Sequence, residues 1–258
     1  MKNIFAIFLC FTSLISAQSI VNTEKFFSEN KDGINIISEL SGNYLKGNAE
    51  LLQLNYTINT SFKNKKTILR FISRGEYITE DNQDVSNGIF AQIRFNQLIS
   101  NSSRFYLFSQ IQTSYILLLE RRILNGAGYR FDLITQEKDS LLKHKMDVSI
   151  GIMQEEEILN KDRLLFNEQS YTNYTRGNIS INNKFHLNKP FTLVNNLYFQ
   201  PYLKDLSDFR FFNELSLLFE SNDFLYFVID FELRYDNKPP IMLTQTDFNI
   251  QFGIVTKF

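Results

Sequence analysis

Strict alternation of apolar and polar residues is the feature of this sequence that most restricts its fold. The carboxyl-terminal segment Asp247–Phe258 shows it best, because apolar side chains occupy alternate positions and mostly polar ones lie between them. The apolar set is Phe248, Ile250, Phe252, Ile254 and Phe258. Successive side chains of a β-strand point to opposite faces, so this period predicts a strand with one apolar face and one polar face.

Twelve segments of this kind follow one another between residues 33 and 258. Each has about 9 to 11 residues, or slightly more, which a tilted strand needs to cross a bilayer. Every backbone donor and acceptor in hydrocarbon needs a partner within the protein, so a membrane sheet must close on itself. The sequence therefore predicts an all-β fold, a single antiparallel up-and-down transmembrane β-barrel of about 12 strands.

The amino-terminal residues predict export. Residues 1–17 resemble a signal peptide, with Lys2 before an apolar stretch and a cleavage point after Ala17. Cys10, the only cysteine, lies within this leader, so cleavage removes the means for disulfides or thiol catalysis. A lipid anchor on Cys10 is the alternative, disfavoured by the bulky Leu9 before it. Residues 18–32 lack the alternation, and we interpret them as a short periplasmic segment.

Charge and aromatic placement restrict the environment of the barrel. The chain has 27 Lys and Arg against 28 Asp and Glu, and this near-neutral balance gives no electrostatic reason to expect nucleic acid as a partner. An even strand number leaves both chain ends on one side, the periplasm for exported barrels. Tyrosines gather at the opposite strand ends, as expected for an aromatic girdle. They are Tyr44, Tyr77, Tyr115, Tyr174, Tyr202 and Tyr235.

Charged residues on the polar faces are the candidate functional residues. Opposite charges on neighbouring strands stabilise each other, and in a barrel of this size they either narrow the lumen or block it. We predict that the pore is lined by Arg94, Arg122, Arg130, Arg210, Glu214, Asp230, Glu232 and Arg234. The function that follows is a narrow pore or a structural envelope component.

The carboxyl terminus predicts how the chain reaches the membrane. Phe258 ends the sequence, and Ile254 and Phe252 precede it on the same face of the last strand. This pattern resembles the signal that the outer-membrane barrel assembly machinery reads on its clients. We therefore expect that machinery, periplasmic chaperones and outer-membrane lipid as partners, with the cell outer membrane as the location.

Enzymatic and receptor functions are the alternatives. A lipid-modifying hydrolase would need a serine and a histidine at the rim, but His144 and His186 fall at strand ends assigned to the periplasm. The run Glu155–Glu157, with Asp162 and Glu168, matches no calcium loop, and we interpret it as a solvated acidic loop within residues 155–173. That loop is the candidate surface of a receptor. The residues favour a non-enzymatic role, with no cofactor and no metal.

Three short motifs resemble a known family. The runs Asn125–Phe131, Arg234–Pro240 and Phe252–Phe258 are similar to those of salt-stress-induced outer-membrane proteins. The resemblance covers most of the chain after the leader. It implies a β-barrel in the outer membrane and implies no particular mechanism.

Overall fold

A computed structural model describes residues 20, 22, 25, 32–46, 50–81, 83–135, 143–188 and 190–258. The leader predicted at residues 1–17 lies outside these residues, as does the connection at 136–142. The boundaries 1–17, 18–32 and 33–258 therefore stay predictions.

Twelve antiparallel strands form one closed barrel, which confirms the predicted fold class. Each strand pairs with its neighbours in sequence, and β1 pairs with β12 to close the ring. No helix in the described part of the chain is long and apolar enough to span a membrane. The strands are β1 (Gly33–Lys46), β2 (Glu50–Asn64), β3 (Thr67–Glu80), β4 (Gln83–Ser100), β5 (Ser103–Ser114), β6 (Leu119–Thr135), β7 (Lys143–Leu159), β8 (Tyr171–Asn188), β9 (Phe191–Tyr202), β10 (Asp205–Glu220), β11 (Leu225–Asp236) and β12 (Thr246–Lys257).

The two faces of the barrel differ as the alternation predicts. On β12, Phe248 and Phe252 are more than half exposed on the outside, whereas Asp247 and Gln251 are buried on the inside. The same alternation appears on β4, where Ile93 is exposed and Arg94 is buried. The apolar surface thus faces outward and the polar surface encloses the lumen, as lipid around a closed barrel requires.

The two rims of the barrel carry different connections. We call the rim with the start of β1 and the end of β12 the proximal rim, and the opposite one the distal rim. The distal rim carries the longer described connections, 160–170 and 237–245, whereas β2 and β3 meet at the proximal rim through a two-residue turn. Tyr174 and Tyr202 stack near the distal rim with their ring centroids 4.2 Å apart, and Phe191 and Phe219 meet near the proximal rim at 5.5 Å.

One tyrosine of β5 lies inside the barrel rather than in a girdle at its rim. Tyr106 points into the lumen, where it is 1% exposed. A Cβ added at Gly128 would lie 2.5 Å from its hydroxyl oxygen, and one added at Gly151 would lie 2.7 Å from it. The two glycines therefore leave the space that the ring fills. The Arg94 guanidinium covers the ring at 4.3 Å from its centroid.

Candidate functional site

All eight charged residues selected from the sequence lie on the inner face of the barrel. Seven of them are at most 7% exposed, and the side chain of Arg234 is 15% exposed. Arg122, Arg130, Arg210 and Glu232 contact charged partners on other strands, and Glu214 and Asp230 contact Lys25. Arg234 pairs with Glu232 on its own strand, and Arg94 lies over the Tyr106 ring. Whether they line an open passage stays a prediction.

An ion-pair lattice fills the lumen towards the distal rim. We define it by Arg122, Arg176 and Arg210 with Glu155, Glu157, Asp208 and Asp236. Its centre is Glu155 on β7, whose carboxylate oxygens lie 2.9 Å from Arg176 Nε and 2.6 Å from Arg210 Nη1. Arg210 belongs to β10, so this contact spans the inside of the barrel across two intervening strands. The lattice therefore ties separate parts of the wall together.

The placement of Glu155 and Glu157 corrects the loop predicted at 155–173. Strand β7 continues to Leu159, and the connection comprises residues 160–170. Glu155 and Glu157 are 1% and 2% exposed, because burial of a carboxylate is tolerated where arginines compensate its lost hydration. Glu156 faces outward and pairs with Arg121 at 2.7 Å. The interpretation as a solvated acidic loop was wrong for the two buried residues.

Residues of the amino-terminal segment lie inside the barrel. The Lys25 ammonium nitrogen lies 2.6 Å from an Asp230 oxygen, 3.0 Å from Glu39 and 3.8 Å from Glu214. Three strands supply these carboxylates, namely β11, β1 and β10. Asn22 donates a hydrogen bond to Glu214 at 3.0 Å and accepts one from the Tyr198 hydroxyl at 3.1 Å. These contacts place part of the segment 18–32 within the lumen.

Ile20 extends the contact between this segment and the wall. Its side chain is 7% exposed and packs with Tyr198 and the fully buried Phe212. The lumen therefore holds a small apolar cluster beside the lysine. We call Ile20, Asn22 and Lys25 the luminal insert.

Below the distal ion-pair lattice lies a tier rich in arginine. Arg130 contacts Asp147 at 2.6 Å, and Arg104 contacts Asp132 at 2.9 Å. Arg70 and Arg94 are also buried in this tier. Positive charge therefore predominates here, whereas carboxylates predominate around Lys25.

The cavities beside the luminal insert are small. One, of about 20 Å³, is bounded by Lys25, Glu39 and Asp230, and another, of about 30 Å³, lies beside Ile20, Arg94 and Met153. A water molecule needs about 10 to 15 Å³ of such volume. Each space therefore admits water and excludes a sugar or an amino acid.

Each histidine contacts a polar side chain of the neighbouring strand. His144 Nε2 lies 3.2 Å from Asn183 Oδ1, and its ring stacks on Phe185 at 4.1 Å. His186 Nδ1 lies 2.9 Å from the Thr192 hydroxyl. Among the described residues, no group of three His, Cys, Asp or Glu side chains is arranged to hold a metal ion.

Sequence reasoning missed several members of the site. Arg176, Asp208 and Asp236 complete the lattice, and Glu39 and Arg74 complete the surroundings of Lys25 and Glu232. Alternation within β1, β3 and β8 assigns Glu39, Arg74 and Arg176 to polar faces, and this signal could have identified them. The luminal insert carries no such signal, because its contacts lie far along the chain.

A closed barrel with an apolar exterior and a charged interior defines the class of transmembrane β-barrels. The chain belongs to the family described as "Protein of unknown function, DUF481", whose model matches residues 38–258. Among curated proteins, none matches the sequence.

Solved structures share this fold at low sequence identity. The COG4313 outer membrane channel from Pseudomonas putida F1 has a TM-score of 0.55 and 7% identity, covering 93% of this chain and 100% of its own. The NanC porin has a TM-score of 0.50 and 10% identity, with coverage of 88% and 100%. The likeness shows that the chain has the fold of outer-membrane barrel proteins.

Proposed function

We propose that the protein is a narrow outer-membrane pore whose lumen is closed by the luminal insert. The observation that supports this proposal is the position of Lys25. Its ammonium group neutralises carboxylates of the lumen that a free cation would otherwise neutralise. It occupies the space between Glu39, Glu214 and Asp230. Release of the insert exposes three carboxylates to water, and these attract cations.

The balance of charge around Lys25 predicts which ions an opened pore would favour. The surroundings of Lys25 and Glu232 contain four carboxylates, those of Glu39, Glu214, Asp230 and Glu232, against three cations, those of Lys25, Arg74 and Arg234. Removal of the lysine leaves four against two. Because field strength in a narrow lumen depends on such differences, we expect an opened pore to prefer cations at this level.

Planar-bilayer conductance tests the proposal. The Lys25→Met variant keeps the length of the side chain and removes its charge, and Lys66→Met, in an exposed turn, is the matched control. We expect Lys25→Met to conduct more than the wild type and to favour K⁺ over Cl⁻, whereas Lys66→Met behaves as wild type.

A structural envelope role without conduction predicts a different result. Wild type, Lys25→Met and a variant with both Arg210→Ala and Glu214→Ala would then all remain silent in bilayers that give normal currents with a known porin. Silence of all three overturns the pore. A purely structural barrel would still show the same folded state by circular dichroism.

Export and assembly belong to the same proposal. We infer that residues 1–17 are removed during export, that periplasmic chaperones and the barrel assembly machinery handle the chain, and that it resides in outer-membrane lipid. The apolar exterior and the exposed Phe252, Ile254 and Phe258 support this inference. Mass spectrometry of protein from isolated outer membranes tests it, since we expect a mature chain that begins at Gln18.

The resemblance to salt-stress-induced proteins suggests when the protein is made. We propose that its abundance rises with external salt. Quantitative immunoblotting of outer membranes before and after a salt challenge tests this, and unchanged abundance argues against it.

A further inference from the structure

The closing seam of the barrel is incomplete towards the distal rim. Strands β1 and β12 pair from Ile37 with Lys257 to Gly42 with Phe252. The same strands continue to Lys46 and back to Thr246, and there β1 pairs only with β2 and β12 only with β11 among the described residues. Past Gly42, the side-chain amide of Asn43 still donates two hydrogen bonds of 3.4 Å across the seam, to Asn249 Oδ1 and to the Ile250 carbonyl.

The unpaired part of the seam lies at the level of a membrane interface. Tyr44, 57% exposed, belongs to the tyrosine set near the distal rim and donates a hydrogen bond to Glu50 at 3.0 Å. Backbone groups without partners are costly in hydrocarbon but are hydrated among lipid head groups. Beyond Gly42 on β1 and before Phe252 on β12, the two strands therefore face the head-group region without ladder pairing across the seam. We call this part of the seam the slot.

A cavity of about 470 Å³ lies in the distal mouth beside this slot. Ligand pockets have volumes of about 300 to 1,000 Å³. Residues of β12 and β2 line the cavity, and none of the described lining residues belongs to β1, although β1 lies between those strands in the ring. The cavity thus borders the strands on both sides of the seam.

Loops fix the shape of this cavity. Arg163 donates a hydrogen bond to the Tyr115 carbonyl at 2.8 Å and lies over its ring at 4.2 Å. The Ile241 amide donates to Glu168 at 2.7 Å, which joins the connection 237–245 to the connection 160–170. Lys238 Nζ contacts Asp205 at 2.6 Å, a hydrogen bond that raises the pKa of Lys238. The mouth is therefore built by mutually bonded loops.

The lining combines an apolar wall with balanced charge. The apolar residues include Ile78, Phe90, Leu117 and Met242. Three arginines and three carboxylates also line the cavity, so a ligand with net charge gains little. They are Arg74, Arg163, Arg234, Glu76, Glu80 and Asp247. Arg234 lines the cavity, and its buried Nε has no hydrogen-bond partner among the described residues, so the guanidinium has hydrogen-bonding capacity left for an anionic oxygen.

We propose that the distal cavity binds a single-chain zwitterionic amphiphile that enters from the adjoining leaflet through the β1–β12 slot. The alkyl chain lies against the apolar wall, the phosphate oxygen accepts from Arg234, and the cationic group faces the carboxylates. In the orientation proposed above, this leaflet is the outer one. Pore closure by Lys25 is tested separately, because Lys25 does not line this cavity, although Arg74 borders both this cavity and the smaller one beside Lys25.

The absence of tryptophan allows a specific test. Phe90→Trp places the only indole of the chain in the cavity, and Phe231→Trp places it on the lipid-facing side as the reference for bulk partition. Both variants are reconstituted in phosphatidylglycerol nanodiscs and titrated with an alkyl phosphocholine brominated on its chain. Carboxylate and trimethylammonium amphiphiles with the same brominated chain are the comparison probes.

We expect quenching of the Phe90→Trp variant to saturate at one phosphocholine per protein. The phosphocholine concentration that gives half-maximal quenching should be about tenfold lower than that of either charged probe. Quenching of the Phe231→Trp variant should rise without saturation, and to the same extent with all three amphiphiles. Quenching of Phe90→Trp that is not saturable, or that is equal for all head groups, overturns the site.

Closure of the slot tests the route. Leu45→Cys with Asn249→Cys, joined by a short bifunctional thiol reagent, bridges the unpaired strands, and the same variant without reagent is the control. The two cysteines are introduced into each indole variant. We expect cross-linking to lower the rate of quenching of Phe90→Trp at least tenfold and to leave the rate for Phe231→Trp unchanged. An unchanged rate means that the amphiphile enters from water, which overturns the lateral route.

Discussion

Lys25 and Asp230 form an ion pair with an N–O distance of 2.6 Å between residues 205 positions apart in the chain. The lysine side chain is 8% exposed and the aspartate side chain 3%. Ser216 also donates to Asp230, at 2.6 Å, so both oxygens of this carboxylate are engaged. Lys25 is thereby fixed inside a barrel of regular strands.

Coupling between these two residues is the first prediction. Lys25→Met leaves Asp230 without its nearest cation, and Asp230→Asn removes one of the carboxylates that hold the lysine. Each variant alone should lower the free energy of unfolding. The loss in the double variant should be smaller than the sum of the two single losses by at least about 1 kcal/mol. Urea unfolding in lipid vesicles measures the cycle. Additive effects would mean that the pair contributes no coupling.

Two adjacent arginines provide a matched comparison of the two faces. Arg122 Nη2 contacts Glu157 at 2.7 Å with both side chains 2% exposed, whereas Arg121 contacts Glu156 at the same distance with side chains 46% and 35% exposed. We expect Arg122→Met to lower the free energy of unfolding by about 3 kcal/mol, because Glu157 stays buried, although it keeps the contact of 3.4 Å with Arg210. Arg121→Met should cost about 0 to 1 kcal/mol, because water screens that pair.

Vesicle unfolding curves of both variants check this difference. Similar midpoints for Arg121→Met and Arg122→Met would contradict the assignment of Arg122 to a dry lattice. They would indicate that the lumen is well hydrated at this level.

The fold could be predicted because its signal is local. Each strand alternates independently, and the closure of the ring follows from the requirement that lipid imposes on every backbone group. The inward direction of Arg210 and Glu214 follows from the same period. The partner of each charge does not, since Arg210 binds Glu155, 55 residues away and on a strand that is not its neighbour.

The error at Glu155 and Glu157 and the unforeseen position of the luminal insert also have physical causes. Three consecutive glutamates conceal a period of two, so the inward positions of Glu155 and Glu157 look the same as that of the outward Glu156. The luminal insert has no period, and its position depends on three strands that meet only in the closed ring. Charge complementarity across a lumen becomes visible only when the register of the strands is known.

Glycine in the wall next to Tyr106 gives a third prediction. A Cβ at Gly128 would lie 2.5 Å from both the Ile150 carbonyl oxygen and the Tyr106 hydroxyl, and backbone cannot move aside as a flexible side chain does. Gly128→Ala should therefore lower the free energy of unfolding by about 1 to 3 kcal/mol. Gly177→Ala is the control, since its nearest neighbour, Pro201 Cγ, lies at 3.3 Å. Equal stability of the two variants would show that the wall near Tyr106 relaxes.

The last prediction concerns the carboxyl-terminal Phe258. The effect of its backbone hydrogen bonds can be separated from the effect of its ring. Its amide and carbonyl exchange hydrogen bonds of 2.8 and 3.0 Å with Ile36, at the proximal end of the closing seam, while its side chain is 73% exposed. Phe258→Ala keeps both bonds and removes the ring. Deletion of Phe258 removes both bonds as well, from a seam that pairs over few residues.

Comparison of assembly in cells with refolding in vesicles then identifies what the ring does. If the assembly machinery reads the ring, Phe258→Ala should assemble slowly in cells, measured as the folded fraction on gels of unheated samples, yet refold at the wild-type rate in pure lipid. Deletion of Phe258 should be slow in both, because the seam loses two of its bonds. Equal slowing of Phe258→Ala in cells and vesicles would contradict a recognition role, since the ring would then act through its contact with lipid.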